Sequence, residues 1–429
     1  MWSVAPKLKI RKGQILFFLS GIIIFTGRFN GVNVNQYIKY IVAGVWGGFY
    51  VASVLAYRQK TKKKSDIQRH TYLMVLPFVT FFVYTLSIWI LNGNAGIRNF
   101  TRLCSTILYL IIAWSFACCG YFLFGRQTVD ILFWSGVCSY TLGSIIPLIW
   151  NYGIDGPGQY LLSIIMQSDI SSSYMMEVHD LTFAMGLFFL YYAFFEPHRT
   201  KHHKAKLVLS IILIFLGLKR IEVLALAAAA ASCLIVLRNG KVMKKRSLLF
   251  FIFFTILSFA FVYLISNGII SYWAARLGIN SMGRIGYYTF ASDFYKFTPF
   301  YTGTGYTYFS RYWGKLHASG FRIGGYGIAA SLHSDILVMY IELGFFMMIL
   351  WLYYSFRYKT VALSKKYGTI TGKYYLLATI FMFIIYFTDN TSTYFITQMI
   401  YFLIPLSISR TVGLDAGTSK NEEIKMQAS

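Results

Sequence analysis

Along most of this chain the hydrophobic positions do not form amphipathic stripes. Runs such as 103-LCSTILYLIIAWSFACCGYFLF-124 are apolar on every face, whereas a helix lying on a soluble core keeps one polar face. Apolar segments of about 20 residues suit the bilayer interior. Taken in turn they predict about twelve membrane-spanning helices, over 14–27, 36–57, 71–91, 103–124, 131–150, 181–195, 207–218, 221–237, 248–266, 335–355, 375–388 and 394–409. The pair 207–218 and 221–237 is short. Because unpaired backbone is costly in hydrocarbon, it is expected to stay helical and turn at 218-LKRIE-222.

Composition agrees with this pattern. Hydrophobic residues make up 57% of the chain and charged residues 13%, and the mean hydropathy is +0.55. The 40 Lys and Arg against 15 Asp and Glu could point to nucleic acid, but their placement excludes it. They cluster in short gaps between apolar runs: 58-RQKTKKKSDIQR-69, 199-RTKHHKAK-206, 238-RNGKVMKKR-246 and 357-RYKTVALSKK-366. Such a distribution marks cytoplasmic loops. It places both termini inside, with a cytoplasmic tail over 410–429, and locates the chain in the cytoplasmic membrane as a multi-pass protein. The run 14-QILFFLSGIIIF-25 has no small-residue cleavage site and is followed at once by a second apolar run, so it reads as the first helix. The five cysteines all fall within apolar runs, without metal-ligand spacing.

The organisation predicted is all-α and polytopic: a single membrane domain over 1–429 with no internal repeat. Two outer loops stand out, 151–180 and 267–334, the second a large extracytoplasmic loop between the ninth and tenth spans. Loops of this length are where lids and binding surfaces are found. Outward cations at Arg98, Arg220, Arg276, Arg284 and Arg322 break the inside bias. The planar fork of arginine suits a diphosphate. The stretch 287-YYTFASDFYKFTPFYTGTGYTYFSRYW-313 interleaves rings with the cations Lys296 and Arg311, as a sugar-binding cleft or an interfacial belt would. Acids also gather outside or within spans, among them Asp335, Glu342 and Asp389.

The segment 331-SLHSDILVMYIELGF-345 begins as a polar rim and continues as a membrane helix. His333 stands at its entrance as a candidate base, with Glu177, His179 and Asp180 as a second candidate set before the span at 181. Asp335 is expected to cap or orient the entrance. His333 and Glu342 differ by nine positions, about half a turn out of phase, and are separated by roughly 13 Å along the axis. Glu342 is therefore expected to meet a polar group of another span, or to stay protonated, rather than to pair with the histidine or meet a sugar.

These motifs resemble those of the O-antigen polymerase and ligase superfamily (Wzy-type and WaaL-type). One resemblance is His333 and Ser334 followed by Glu342 and Gly344. A second is Arg284 followed by 303-GTG-305. The third is 219-KRIEVLALAAAAA-231, with Lys219 where the family has Ser, followed by Arg220. The usual Pro-Asn entry to the middle helix is replaced by 177-EVHDLTFAMGL-187. The resemblance implies a membrane glycosyltransferase acting on a glycan donor and acceptor linked to undecaprenyl diphosphate, at the outer face of the membrane. As a Wzy-type polysaccharide polymerase it would build a capsule, exopolysaccharide or O-antigen, with membrane lipid and other polysaccharide-assembly proteins as partners. A ligase of the same superfamily is the alternative, and a lipid-linked oligosaccharide flippase or transporter the alternative of another class. No Asp-x-Asp pair occurs, so metal-independent transfer without a cofactor is expected. The resemblance carries over His333, Arg284 and Arg220; the candidate base is His333 or one of the set Glu177, His179 and Asp180, and the cations expected on diphosphate or sugar are Arg220 and Arg284 first, with Arg276, Arg322 and Arg98 behind them.

Overall fold

The computed structural model describes residues 4–30, 32–34, 36–56, 62–165, 179–196, 202–217, 219–237, 243–278, 283–323 and 326–409. The protein is almost wholly helical. In chain order the helices are α1 (Val4–Phe25), α2 (Gln36–Ala56), α3 (Lys62–Leu91), α4 (Ile97–Phe124), α5 (Gln127–Tyr140), α6 (Ile146–Tyr152), α7 (Gly156–Ile165), α8 (His179–Phe194) and α9 (His203–Gly217). There follow α10 (Arg220–Val236), α11 (Met243–Ser266), α12 (Ile269–Arg276), α13 (Arg284–Ser292), α14 (Tyr308–Ala318), α15 (Asp335–Leu352), α16 (Lys359–Tyr367), α17 (Thr369–Tyr386) and α18 (Phe395–Ser409). Two antiparallel hairpins complete the described residues, β1 (Arg28–Phe29) with β2 (Val32–Asn33), and β3 (Arg322–Ile323) with β4 (Tyr326–Gly327).

A helix occupies each interval predicted to cross the membrane. Among the described residues, 7 helices are long and apolar enough to cross by length and composition, and Lys12–Phe25, Leu181–Phe194 and Phe395–Ile408 are shorter apolar helices. This is an all-α polytopic membrane protein.

Several basic stretches are helical where gaps were expected. Lys62 to Arg69 form the first turns of α3, and 357–366 continues α15 through a π-helical turn (Tyr353–Tyr358) into α16. Lysine and arginine are good helix formers, and no Gly or Pro intervenes before Gly368, whose φ of 98° ends the helix. Likewise 267–334 is not an open loop: it folds into α12, α13, α14 and the β3–β4 hairpin. Residues 156–165 of the other expected loop form α7.

Packing gathers the chain into two compact units. One comprises 1–70, 109–226 and 394–429, the other 71–108 and 227–393. In the first, α1 lies against α5 so closely that a Cβ on Gly21 would come 2.5 Å from Ser135 Oγ. A buried polar knot joins α5, α8 and α9 there: Lys206 donates to Asp130 (2.8 Å) and Glu196 (3.0 Å), and Tyr192 donates to Asp130 (2.9 Å). In the second unit, α17 is buried along nearly its whole length. Phe254 of α11 stacks on Phe356 at 4.6 Å, and Phe356 meets Phe383 of α17 at the same distance. That core holds α15, whose N-terminus and mid-helix break carry the site.

Candidate functional site

Within the second unit, α15 is not one straight helix. Gly344 has φ 73° and ψ −174°, so the helix breaks there. Segment 301–305 docks into the break. Thr304 N donates to Ile341 O (3.0 Å), Gly305 N to Glu342 O (2.8 Å) and Phe345 N to Tyr301 O (2.9 Å). The backbones approach so closely that a Cβ on Gly303 would lie 2.4 Å from Glu342 O, and one on Gly344 2.3 Å from the carbonyl carbon of Thr302. Gly303 and Gly305 also have positive φ, 82° and 91°. Glycine alone meets both demands. The Gly-x-Gly and acid-Gly motifs are thus two halves of one backbone dock.

Glu342 completes the dock. Its carboxylate accepts from Thr307 N (2.7 Å), Ser310 N (2.8 Å) and Ser310 Oγ (2.7 Å). These donors belong to the first turn of α14, which has no side-chain cap of its own. A carboxylate at a helix N-terminus satisfies orphan N–H groups and opposes the positive end of the dipole. Glu342 was expected to meet another span; its acceptor role is instead toward the segment between α13 and α15. From α3, Trp89 Nε1 donates to Thr304 O (2.9 Å) and Tyr84 to Thr302 O (2.6 Å), while Thr85 Oγ1 accepts from Tyr306 N (2.9 Å). Irregular backbone is thereby paired with protein groups, as depth in a membrane requires. Farther along α14, Trp313 Nε1 donates to Ala329 O (2.9 Å) and His317 Nδ1 to Ile328 O (2.7 Å). The dock thus reaches the segment leading to His333.

At that end of α15, Ser334 rather than Asp335 is the cap: its Oγ accepts from Leu337 N at 3.2 Å. Asp335 turns to the segment after α17, accepting from Ser392 N (2.7 Å) and Ser392 Oγ (2.6 Å). Asp335 N donates to Asp389 O (3.1 Å), and Ser331 Oγ to Asn390 Oδ1 (3.1 Å). Residues 331–335 and 389–392 are therefore laced together. Between them sits His333 with φ 58°, in the left-handed region that residues with a Cβ rarely adopt. Tyr288 of α13 donates to its carbonyl at 2.8 Å.

The ring of His333 is 24% exposed, yet its Nδ1 is buried and has no hydrogen bond. It lies 3.7 Å from Oδ1 of Asp389, a side chain only 2% exposed. Arg284, half-buried at the start of α13, stands one turn before Tyr288. Burial holds the Tyr288 phenol above its ordinary range, with the Arg284 charge opposing and that of Asp389 adding. Tyr288, four residues after Arg284 on α13, thus reaches the backbone of His333.

Of the remaining arginines of the second unit, none is joined to His333 or Arg284 by a hydrogen bond or ion pair among the described residues. Arg276 ends α12, exposed, with its guanidinium 5.5 Å from the ring centre of Trp273. Arg322 is exposed on β3, and Arg98 is exposed in the first turn of α4. In the first unit, Arg220 is exposed at the start of α10, while Lys219 and Glu222 beside it are buried. His179 and Asp180 open α8, but their side chains, and all of Glu177, lie outside the described residues. Among the described residues no group of three or more His, Cys, Asp or Glu is arranged to hold a metal ion.

A polytopic α-helical membrane protein with a partly open histidine beside a buried carboxylate, and an arginine close by, is the class these features define. Residues 205–352 match the family model described as O-Antigen ligase. The match bears out the resemblance to the O-antigen polymerase and ligase superfamily and spans Arg220, Arg284, the docked glycines, His333 and Glu342. No curated protein and no solved structure matches the chain. Sequence reasoning gave no site role to Asp389, Ser392 or Tyr288. The signals were faint: a polar interruption, 388-TDNTS-392, between two apolar runs, and a tyrosine four residues after Arg284.

Proposed function

We propose that the protein transfers a glycan from undecaprenyl diphosphate to a sugar hydroxyl at the outer face of the cytoplasmic membrane, as a polymerase of oligosaccharide repeat units. The acceptor oxygen attacks the anomeric carbon, and the bond from that carbon to the diphosphate oxygen breaks. The hydroxyl proton passes to His333, and the diphosphate leaves against Arg284. A single displacement of this kind inverts the anomeric configuration. A base near its target and fixed cations at the leaving group are what such a transfer needs. The observation that carries the reading is the partly open His333 ring beside buried Asp389, its backbone held by Tyr288, which follows Arg284 by one turn of α13. Positive charge at Arg284 supports transfer without a metal. The expected outcome in EDTA is unchanged product formation in isolated membranes; loss restored by added metal would count against it.

The test is deletion and rescue, read as glycan length. Single capped repeats in the deletion, with full-length glycan restored by the parent chain but not by His333→Ala, support polymerisation. The ligase reading is favoured by the description of the matched family model. Its mark would be full-length lipid-linked chains that never reach their acceptor. Normal glycan with both His333→Ala and Arg284→Gln would overturn the site itself. Retention of anomeric configuration, read by NMR of the product, would overturn the single displacement.

A further inference from the structure

We infer that Asp389 is the positioning residue of His333: its carboxylate holds Nδ1, leaving Nε2 as the nitrogen that meets the acceptor hydroxyl. The inference rests on the proposed role of His333 as base. It concerns a residue outside the segment 205–352 that matches the family model.

Three observations lead to it. First, Nδ1 of His333 is a buried polar atom without a hydrogen bond, although the ring as a whole is partly open. Buried polar atoms are almost always paired, so an unpaired one in a candidate site calls for a function. Second, among the described residues the ionic neighbour of Nδ1 is Oδ1 of Asp389, at 3.7 Å, and that carboxylate is fixed in place. Oδ1 accepts from Asn390 N at 2.8 Å, and the Asp389 carbonyl accepts from Asp335 N. Among the described residues, the charged and titratable groups that contacts place at His333 and its segment are Asp389 and Asp335 from the laced segments and Tyr288 from α13, with Arg284 one turn before that tyrosine. Of the two carboxylates, Asp335 is committed through both oxygens to Ser392, and Tyr288 is committed to the His333 carbonyl. Third, His333 is held in a left-handed backbone conformation. Such outliers persist where surrounding structure over-determines them and cluster at active sites. Here the tyrosine behind and the laced turn beside it aim the ring at Asp389. The 3.7 Å separation is longer than a hydrogen bond, but catalytic hydrogen bonds of this kind tighten when substrate engages. An acceptor facing one ring nitrogen sets the tautomer and the orientation of the other.

The test reads the tautomer directly. Full-length protein with 15N-labelled histidine is placed in phospholipid nanodiscs in alkaline buffer, and the His333 resonances are assigned by their loss in His333→Ala. The expected result is a proton on Nδ1 in the parent chain and a tautomer mixture in Asp389→Asn. In native membranes carrying their own lipid-linked glycan, Asp389→Asn lowers the rate of product formation about 10–100-fold, the loss typical of an orienting partner, with an unchanged melting temperature. Asp389→Glu, which keeps the charge, recovers part of the rate. A proton on Nε2 in the parent chain overturns the inference, as does an Asn variant with the parent's tautomer and rate. If the Asn variant fails to fold, the parent tautomer decides alone. Activity in His333→Ala would remove the base role whatever the tautomer. Inactivity there, with a tautomer indifferent to Asp389, would remove only the positioning role.

Discussion

His333 and Glu342 lie nine residues apart in one motif, and the protein treats them in opposite ways. Glu342 is fully buried, but its carboxylate takes three donors from Thr307 and Ser310. His333 keeps a strained backbone and leaves a buried nitrogen without a hydrogen bond. A buried charge whose hydrogen bonds are complete is scaffold, because any movement toward substrate would break them. A partly open ring with capacity left over is poised for chemistry. Saturation of hydrogen bonds, more than the identity of the side chain, separates the two roles.

The sharpest way to break the comparison is His333→Ala. Removal of a general base is expected to lower product formation about 10²–10⁴-fold, measured as glycan formed in native membranes. Because Tyr288 holds the backbone of residue 333 rather than its ring, the melting temperature should stay close to that of the parent. A large fall in melting temperature would mean that the histidine is scaffold after all.

Gly303→Ala attacks the other side. The added Cβ would meet Glu342 O at 2.4 Å with φ at +82°, so both the clash and the backbone strain oppose folding. A loss of about 3–5 kcal/mol is expected, seen as little folded protein in membranes. Glu342→Gln is milder. The amide keeps the volume and one acceptor oxygen but turns an N–H pair toward other donors. Losing charge-assisted bonds should cost about 1.5–3 kcal/mol. Product per folded molecule should remain near the parent value, which is what distinguishes it from His333→Ala.

Much of the fold was legible in the sequence, and for a physical reason. Apolar runs and basic gaps report on the membrane itself, so helices stand where the runs lie. The short pair α9 and α10 was legible on the same basis, whereas the helices within 267–334 were not, since that interval read only as a loop. The site was legible only in part. Half-turn geometry correctly parted His333 from Glu342, but Asp389 lies 56 positions beyond His333, and only tertiary packing joins them. The break at Gly344 was hidden as well, since 336-ILVMYIELGF-345 reads as continuous helix until the docked backbone of 301–305 is in place. Arginine roles were the least legible, because outward charge alone does not say which arginine meets a structured group.

That last point yields the smallest expected effect. Charge and side alone do not separate Arg276 from Arg284, and only the motif with 303-GTG-305 set Arg284 ahead. Arg284 is half-buried one turn from Tyr288, whereas Arg276 is exposed at the end of α12 and rests on Trp273. A cation over an exposed ring gains little there, and exposed substitutions usually alter stability by no more than about 0.5 kcal/mol. Arg276→Gln should therefore change product formation by about twofold or less, while Arg284→Gln, removing a cation proposed to stabilise the leaving group, should lower it about 10²-fold. Measured side by side in the same membranes, equal losses would mean that both arginines meet the diphosphate, and burial beside Tyr288 would lose its value as a guide to which cation acts.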